Sequence, residues 1–428
     1  MKNNTRNIVD LKQGNIREII RILKTSPNST KTGIADKMSM TIASAHNFIS
    51  ELLKNGICVS SGIASSVTNG RRAVKYRLNK DYGYIIGVTL ARTSIHFAAY
   101  DLGNDLLAEK TCVCDIHDKE STTNMLLSGV EELTTEKTFN NKKCLCMGIT
   151  IPGRADKDGR IVLLPDADIW RGFPLKQIFE QRFNIPAYVD NDNNAYILAA
   201  KWLGLVNGEI NTVFFSMTEG VGMSVMNSQE LFRGAQNSGS EIGHTIADIN
   251  GRQCSCGNKG CFEAYISEQA VHDSMASLLE LKYKAFLERF PANPSVAKIA
   301  AYAKKNKCYD LYVAFSRVSE YIIIALQNII RIFDPATIII NCEWLKFLPE
   351  IFDDVKLRVY SYCNIKDNNS IEFIFDIDEK IIKTAPAMMA FDNYLSNFEM
   401  NNTNKERNKT YANNIESTGT DGVNTTNL

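Results

Sequence analysis

Apolar positions in the first eighty residues recur at helical spacing. Ile16, Ile19, Ile20 and Leu23 mark a helix over Asn15 to Thr25, which Pro27 stops. A second short helix follows Thr30 and turns Ile34, Ala35 and Met38 inward. A third begins after Thr41, a good capping residue, and runs to about Asn55, where Gly56 closes it. Its inward stripe is Ala45, Phe48, Ile49 and Leu52, leaving Ala43, Ser44, His46, Asn47, Ser50 and Lys54 on the opposite face. Ile57 to Ser60 and Ala73 to Leu78 then alternate like hairpin strands, joined by a loop ending in Asn69-Gly70-Arg71-Arg72. From Tyr84 the pattern becomes that of strands, at Tyr84 to Leu90 and Ser94 to Tyr100, with a turn at Asp101-Leu-Gly-Asn. A helix around Thr123 to Leu133 and a strand at Cys144 to Thr150 continue an α/β alternation. A long helical region spans Ser267 to Phe333, and a further helix lies near Thr384 to Asn397. Beyond about Asn401 the chain is rich in Asn, Thr and Gly, so a disordered tail is expected to Leu428. No fixed-period repeat is apparent.

With 428 residues and 44% apolar composition, the chain can build two or three domains with substantial cores. Apolar runs such as Tyr321-Ile-Ile-Ile-Ala-Leu and Thr337-Ile-Ile-Ile are far shorter than the ~20 residues a bilayer requires. With no secretory signal either, a soluble cytoplasmic protein with no membrane partner is expected. Overall neutrality hides an uneven charge. Residues 1–80 hold 14 Lys or Arg against 4 Asp or Glu, a surplus of 10, so the other 348 carry 34 against 44. A basic module is thus joined to an acidic body. Such a module commonly meets phosphate backbones, although it can also be a solvated face or a protein-contact surface. Together with the three helices and the hairpin, the charge favours a winged helix-turn-helix domain for DNA. Thr41, Ala43, Ser44, His46 and Asn47 would then lie in the major groove, with Arg71 and Arg72 at the wing tip reaching a minor groove or phosphates. One such module offers a small interface. A homodimer or tetramer reading an inverted-repeat operator is therefore expected.

The densest chemistry lies in Cys254-Ser-Cys256-Gly-Asn-Lys-Gly-Cys261-Phe-Glu263, preceded by Glu241-Ile-Gly-His244. Three thiols around two glycines suit a tetrahedral site for a borderline-soft ion such as zinc, the glycines letting the backbone curl until the sulfurs converge. The expected ligands are His244, Cys254, Cys256 and Cys261. The other eight of the eleven cysteines are scattered through apolar strings, which fits a reducing compartment better than a disulfide framework. Cys112-x-Cys114 and Cys144-x-Cys146 read as core rather than ligands.

Glu-x-Gly-His followed by Cys-x-Cys-Gly-x-x-Gly-Cys-x-Glu resembles the signature of the ROK family, named for repressors, open reading frames and kinases; the resemblance covers roughly residues 10 to 395. It implies an α/β chain: an N-terminal winged helix-turn-helix over 1–80, then a two-lobed actin-like ATPase fold with a zinc knuckle. Lobe 1 would span 81–200 with a return helix at about 384–397, lobe 2 would span 201–383, and a disordered tail would cover 398–428. It also implies a sugar pocket between the lobes. Ile151-Pro152-Gly153 resembles the loop whose Gly153 lets backbone lie against the sugar ring, and Asn191 and Asp192 match positions that contact hydroxyls. Glu241, His244 and Glu263 would complete the contacts. Carboxylates, an amide and an imidazole answer vicinal hydroxyls with paired hydrogen bonds, and His244 can give one ring nitrogen to zinc while keeping the other for a hydroxyl.

In the family's kinases Asp192 would act as general base. The nucleotide elements, however, depart from the kinase pattern. Asp-x-Gly-Gly-Thr is replaced by Thr89-Leu90-Ala91-Arg92-Thr93, so the acid and both glycines are gone. Thr218-Glu219-Gly220-Val221-Gly222 places Glu219 where an anion would be repelled, and Asn341-Cys342 stands where Gly-Gly is expected. This pattern implies a sensor: a sugar-responsive DNA-binding regulator, a repressor of carbohydrate-utilisation genes released by a sugar or sugar phosphate. The alternative is an ATP-dependent hexose or N-acetylhexosamine kinase.

Overall fold

The computed structural model describes residues 8–399 apart from 65–72, 136–138, 140–141, 207–210, 229, 291–292, 366–369 and 376–377. It divides into two compact units, Met1–Arg77 with Tyr394–Leu428, and Leu78–Asn393. The wing-tip Arg71 and Arg72 and the expected tail beyond Glu399 lie outside the described residues.

The first unit runs α1 (Ile8–Thr25), β1 (Ser29–Thr30), α2 (Lys31–Lys37), α3 (Ile42–Lys54), β2 (Cys58–Ile63) and β3 (Val74–Leu78). Helix α1 starts earlier than its apolar stripe suggests, because Gly14 does not break it. A lone glycine costs only about 1 kcal/mol in a helix, and the added turn is tied to α3 by Lys12 Nζ–Glu51 Oε1 at 2.7 Å. Ile16, Ile19, Ile20 and Leu23 are buried as expected. Thr30 caps α2 by accepting from Gly33 N, and Thr41 caps α3 by accepting from Ser44 N. Gly56 closes α3 with φ +71°. Ala45, Ile49 and Leu52 are buried, while Phe48 and Met38 are only half-buried. Local patterning does not reveal β1, whose two residues pair antiparallel with Tyr76 and Lys75 in a sheet of order β1-β3-β2.

The second unit holds two five-stranded sheets. The first is built from β4 (Tyr84–Leu90), β5 (Ser94–Asp101), β6 (Leu106–Val113), β7 (Cys144–Ile151) and β10 (Ala187–Asn191), in the order β10-β7-β4-β5-β6. The second is built from β11 (Thr212–Met217), β12 (Val221–Asn227), β13 (Glu230–Leu231), β14 (Thr337–Asn341) and β15 (Glu372–Ile374), in the order β13-β12-β11-β14-β15. In each, a three-stranded antiparallel meander is followed by two strands that pair in parallel. The repeat is topological and leaves no period in the sequence. It makes the β4–β5 and β11–β12 turns equivalent positions. A small ribbon of β8 (Arg154–Ala155) and β9 (Ile161–Leu163) follows β7.

Helices α4 (Lys119–Thr134), α5 (Leu175–Phe183) and α6 (Asp192–Trp202) accompany the first sheet, and α6 also packs on β11 and β12. The other helices of the unit are α7 (Glu263–Ile266), α8 (Glu268–Leu279), α9 (Leu281–Leu287), α10 (Val296–Asn306), α11 (Tyr309–Phe333), α12 (Glu343–Phe347), α13 (Pro349–Cys363) and α14 (Glu379–Ser396). At 25 residues, α11 is the one described helix long and apolar enough to cross a membrane, a continuity that its separate apolar runs conceal. Leu311, Phe315, Val318, Ile322, Leu326 and Ile329 bury one face of it in the core beside the second sheet. Helix α14 lies on the first sheet at two glycines: a Cβ at Gly87 would stand 2.9 Å from Ala387 N, and one at Gly148 would collide with the Pro386 carbonyl. Cys114, Cys144 and Cys146 are buried and Cys112 half-buried, and none of them joins the metal-type cluster described below.

Candidate functional site

His244 ends a short 3-10 turn, Ile242–His244, that Gly243 presses against β12: a side chain there would collide with the Val221 carbonyl. The cysteine loop then closes on itself. Cys254 N donates to Asn258 O at 2.9 Å, and Gly257 and Gly260 take φ +93° and +76°, a region that favours glycine. The Nδ1 or Nε2 nitrogen of His244 and the three sulfurs of Cys254, Cys256 and Cys261 lie within 4.8 Å of one another. His244 Nδ1 stands 3.8 Å from Cys254 Sγ, and the Cys256 and Cys261 sulfurs are 3.7 Å apart. Bonds of ~2.3 Å to sulfur in a tetrahedron imply edges of about 3.8 Å, so this donor set fits a four-coordinate metal ion.

The expected sugar residues are linked by a chain of contacts. Gly153 O accepts from Asn191 Nδ2 at 2.7 Å, and Asn191 Oδ1 caps α6 by accepting from Asn193 N at 2.8 Å. Gly153 also has a packing reason of its own, since a side chain there would strike the Leu163 carbonyl of β9. Asp192 opens α6, and its Oδ1 accepts from Asn193 N and Asn193 Nδ2. Burial pushes its carboxyl up to about 6 against the pull of the backbone N–H groups, and the charges of Glu219 and Asp190 push the same way. Glu241 is exposed to solvent yet enclosed enough that desolvation raises its pKa; His244 and Arg154 oppose the rise and Glu263 adds to it. Glu263 accepts from Val221 N at 3.2 Å and Ser255 Oγ at 3.3 Å, which joins the cysteine loop to the β11–β12 turn.

Three residues adjacent in sequence to Gly153, Asp192 and Glu241 carry buried polar atoms without a hydrogen-bond partner: Arg154 Nε, Asn193 Oδ1 and Ser240 Oγ. They are three of the six such side-chain atoms among the described residues. Sequence reading passes over them because nothing in the local pattern separates an orphaned Ser or Asn from turn chemistry. It also passes over Arg233, whose partner Asp190 lies on another sheet; the adjacent Gly234 is the one local signal of a constrained loop.

The equivalent β4–β5 and β11–β12 turns are joined by charge. Arg92 Nη1 lies 2.8 Å from Asp166 Oδ2, and Arg92 Nε lies 3.3 Å from Glu219 Oε2. In the first unit Thr41, the cap of α3, and Ala43, His46 and Asn47 on the helix are exposed, and Ser44 is half-buried, its backbone N–H spent on the Thr41 cap. His46 Nδ1 and Lys31 Nζ are 2.6 Å apart.

Two five-stranded sheets of one topology, each an antiparallel meander followed by two parallel strands, define an actin-like α/β fold. The ROK family model matches residues 85–372, and the chain belongs to that family. It is 31% identical over 353 residues to the xylose repressor of Caldicellulosiruptor bescii, covering 81% of this chain and 87% of that one. It is 25% identical over 341 residues to the DNA-binding transcriptional dual regulator NagC of Escherichia coli, covering 78% and 82%. Among solved structures, a ROK-family transcriptional regulator described as a homolog of the E. coli MLC protein superposes with TM-score 0.73 at 18% identity, covering 91% of this chain and all of the other. These likenesses place the chain in the family's repressor branch.

Proposed function

We propose that the chain is a cytoplasmic, sugar-responsive repressor of carbohydrate-utilisation genes, with an aldose of the xylose class as effector. The observation that carries the reading is a contrast within one cleft. The sugar wall keeps carboxylates and orphaned polar atoms, whereas the turns that would cradle nucleotide phosphates are occupied by the Arg92–Glu219 pair. The names of the relatives support the regulator, and xylose as the effector class. On this reading Gly153, Asn191, Asp192, Glu241, His244 and Glu263 hold the sugar. Asp192 binds a hydroxyl and would serve as a base only in the kinase alternative. Zinc is the metal that suits His244, Cys254, Cys256 and Cys261; when bound it orients the imidazole, and the chain's own side chains do the recognising.

The first unit serves as the winged helix-turn-helix, residues 1–80. The exposed N-terminal end of α3 reads the major groove through Thr41, Ala43, Ser44, His46 and Asn47, and Arg71 and Arg72 meet the backbone or minor groove. The first sheet with α14 forms lobe 1 (81–200 and 384–397), the second forms lobe 2 (201–383), and 398–428 is a tail. A dimer presents two such modules to an inverted repeat. Genomic footprinting of the full chain at two salt concentrations, with and without D-xylose, tests the reading. We expect an enriched palindromic site that weakens with salt and is released by sugar. Asn47→Ala should change base preference, whereas replacing Arg71 and Arg72 should weaken all sites evenly. Failure to enrich any site, together with sugar phosphorylation at roughly 1 per second or faster, would favour the kinase.

A further inference from the structure

Asp190 is almost fully buried, with its side chain 3% exposed, at the end of the edge strand β10, one residue before Asn191 and two before Asp192. Its Oδ1 accepts from Asn191 N at 2.8 Å and from Asn194 Nδ2 at 2.9 Å, so it holds the first turn of α6 in place. Its Oδ2 takes Arg233 Nη1 at 2.5 Å. Arg233 comes from the other sheet, two residues beyond the edge strand β13. The loop it opens is tightly folded. Gly239 N donates to Arg233 O at 3.0 Å, and Gly234, Asn237 and Ser240 all take left-handed backbone, with φ of 70°, 53° and 72°. Arg233 Nη1 also donates to Asn237 Oδ1 at 3.2 Å, and Asn237 Nδ2 donates to Ala155 O at 2.8 Å, beside Arg154. The next residue after this loop is Glu241, and His244 follows three later.

We propose that Arg233, paired with Asp190 and seconded by Asn237, is the positioning residue that sets the spacing between the two halves of the sugar wall. The inference rests on the sugar reading above. One half of the wall, Asn191 and Asp192, hangs directly from Asp190; the other half, Glu241 and His244, hangs directly from the Arg233 loop. No other ion pair among the described residues joins the two edge strands at this point. A non-glycine residue in left-handed backbone, such as Ser240, persists only where its surroundings hold it, and the Arg233 and Asn237 pegs supply that restraint. Both contacts are made by Nη1, so the positive charge and this one donor nitrogen carry the bracing, which the shorter lysine side chain would keep only in part. Arg233 touches no sugar in this scheme; it acts through the side chains it spaces.

The test uses the full-length protein and calorimetric titration with D-xylose, D-glucose and N-acetylglucosamine. For whichever sugar the native chain binds, Arg233→Gln should weaken affinity roughly 10- to 100-fold, by analogy with the loss of a partner that orients a metal-binding side chain. Arg233→Lys should fall between the two, and Asn237→Ala should weaken binding less. Asp190→Asn combined with Arg233→Gln should lose no more than the worse single variant, because both break one contact. A ligand-independent arm is amide hydrogen exchange without sugar. Residues Glu241 to His244 should exchange faster in Arg233→Gln, with α1 to α3 unchanged. Affinity within about threefold of native in Arg233→Gln, losses that multiply in the double variant, or unchanged exchange at Glu241 to His244 would each overturn the proposal. If the native chain binds no sugar in the panel, the sugar reading fails on its own, and the exchange arm still decides whether Arg233 holds the segment. If Arg233→Gln does not fold, Arg233→Lys and Asn237→Ala carry both comparisons.

Discussion

The residues expected to hold a sugar and the paired β4–β5 and β11–β12 turns use their polar groups in opposite ways. On the wall, Arg154 Nε, Asn193 Oδ1 and Ser240 Oγ are buried without partners, and Asp192 is a desolvated carboxyl with a raised pKa. At the turns, Arg92 is paired with two carboxylates at once. Unmet hydrogen-bonding demand marks where a polar ligand belongs; demand already met inside the chain marks where one does not. On the proposed reading, a fold whose halves repeat one topology leaves polar groups available to a ligand on one side and ties them into its own ion pair on the other.

The largest expected effect comes from removing the metal, which would break the wall itself. Native protein should hold about one zinc per chain, and Cys256→Ser about none. Loss of a structural ion worth several kcal/mol should lower the melting temperature by roughly 10 °C in a unit of this size. Elemental analysis and calorimetry check both. A metal-free variant that still responds fully to sugar would detach the cluster from the site.

Next in size is Asp192→Asn, for which affinity and stability should move in opposite directions. Losing a hydrogen bond that the charged carboxylate accepts from a sugar hydroxyl costs about 1.5–3 kcal/mol, or roughly 10- to 150-fold in affinity. The same change removes a desolvated charge. Because burial raises the carboxyl from 3.8 to about 6, its cost to the fold is absent below the lower value, grows as pH rises between the two, and is complete above the upper. The variant should therefore be more stable than native at pH 7, by on the order of 1–3 kcal/mol, and should lack that part of the pH dependence. Parallel urea titrations at pH 4 and pH 7 test this. Equal native and variant stability at pH 7 would place the carboxylate in a wetter setting than the cleft suggests.

How much of this is legible in the sequence depends on the range of the interaction. The caps at Thr30 and Thr41, the stop at Gly56 and the cysteine cluster are local, written within a few residues of one another, and the structure has them where the pattern puts them. His244 and Gly243 are also readable, because a tight turn, a close strand and a ligand compress into one short motif. Strand β1 is not, since its two residues become a strand only by meeting β3. Nor are the pairings Arg92–Glu219 and Arg233–Asp190, because partners far apart in the chain meet only when the two sheets bring them together. The duplicated sheet topology is invisible for the same reason: hydrogen-bond order repeats without any repetition of side chains.

The smallest expected effect sharpens the comparison most. Arg92 is 37% exposed and Glu219 71% exposed, so their pair sits in high dielectric and is screened by salt. Arg92→Ala should therefore change stability by less than about 1 kcal/mol and leave sugar affinity within about threefold, in contrast to the loss expected at Asp192. Nor should it admit nucleotide. Removing one side chain restores neither the glycine backbone that a phosphate needs nor the missing acid at Thr89, and it leaves Glu219 unpaired and repulsive toward an anion. Thermal shift against ATP with magnesium, with native protein and Arg92→Ala side by side, is the measurement. Flat traces from both mean that the nucleotide side has been lost at the level of the backbone. A shift that emerges only in the variant would show instead that Arg92 acts as a removable plug over a working site, and the two regions would then differ by one side chain rather than in kind.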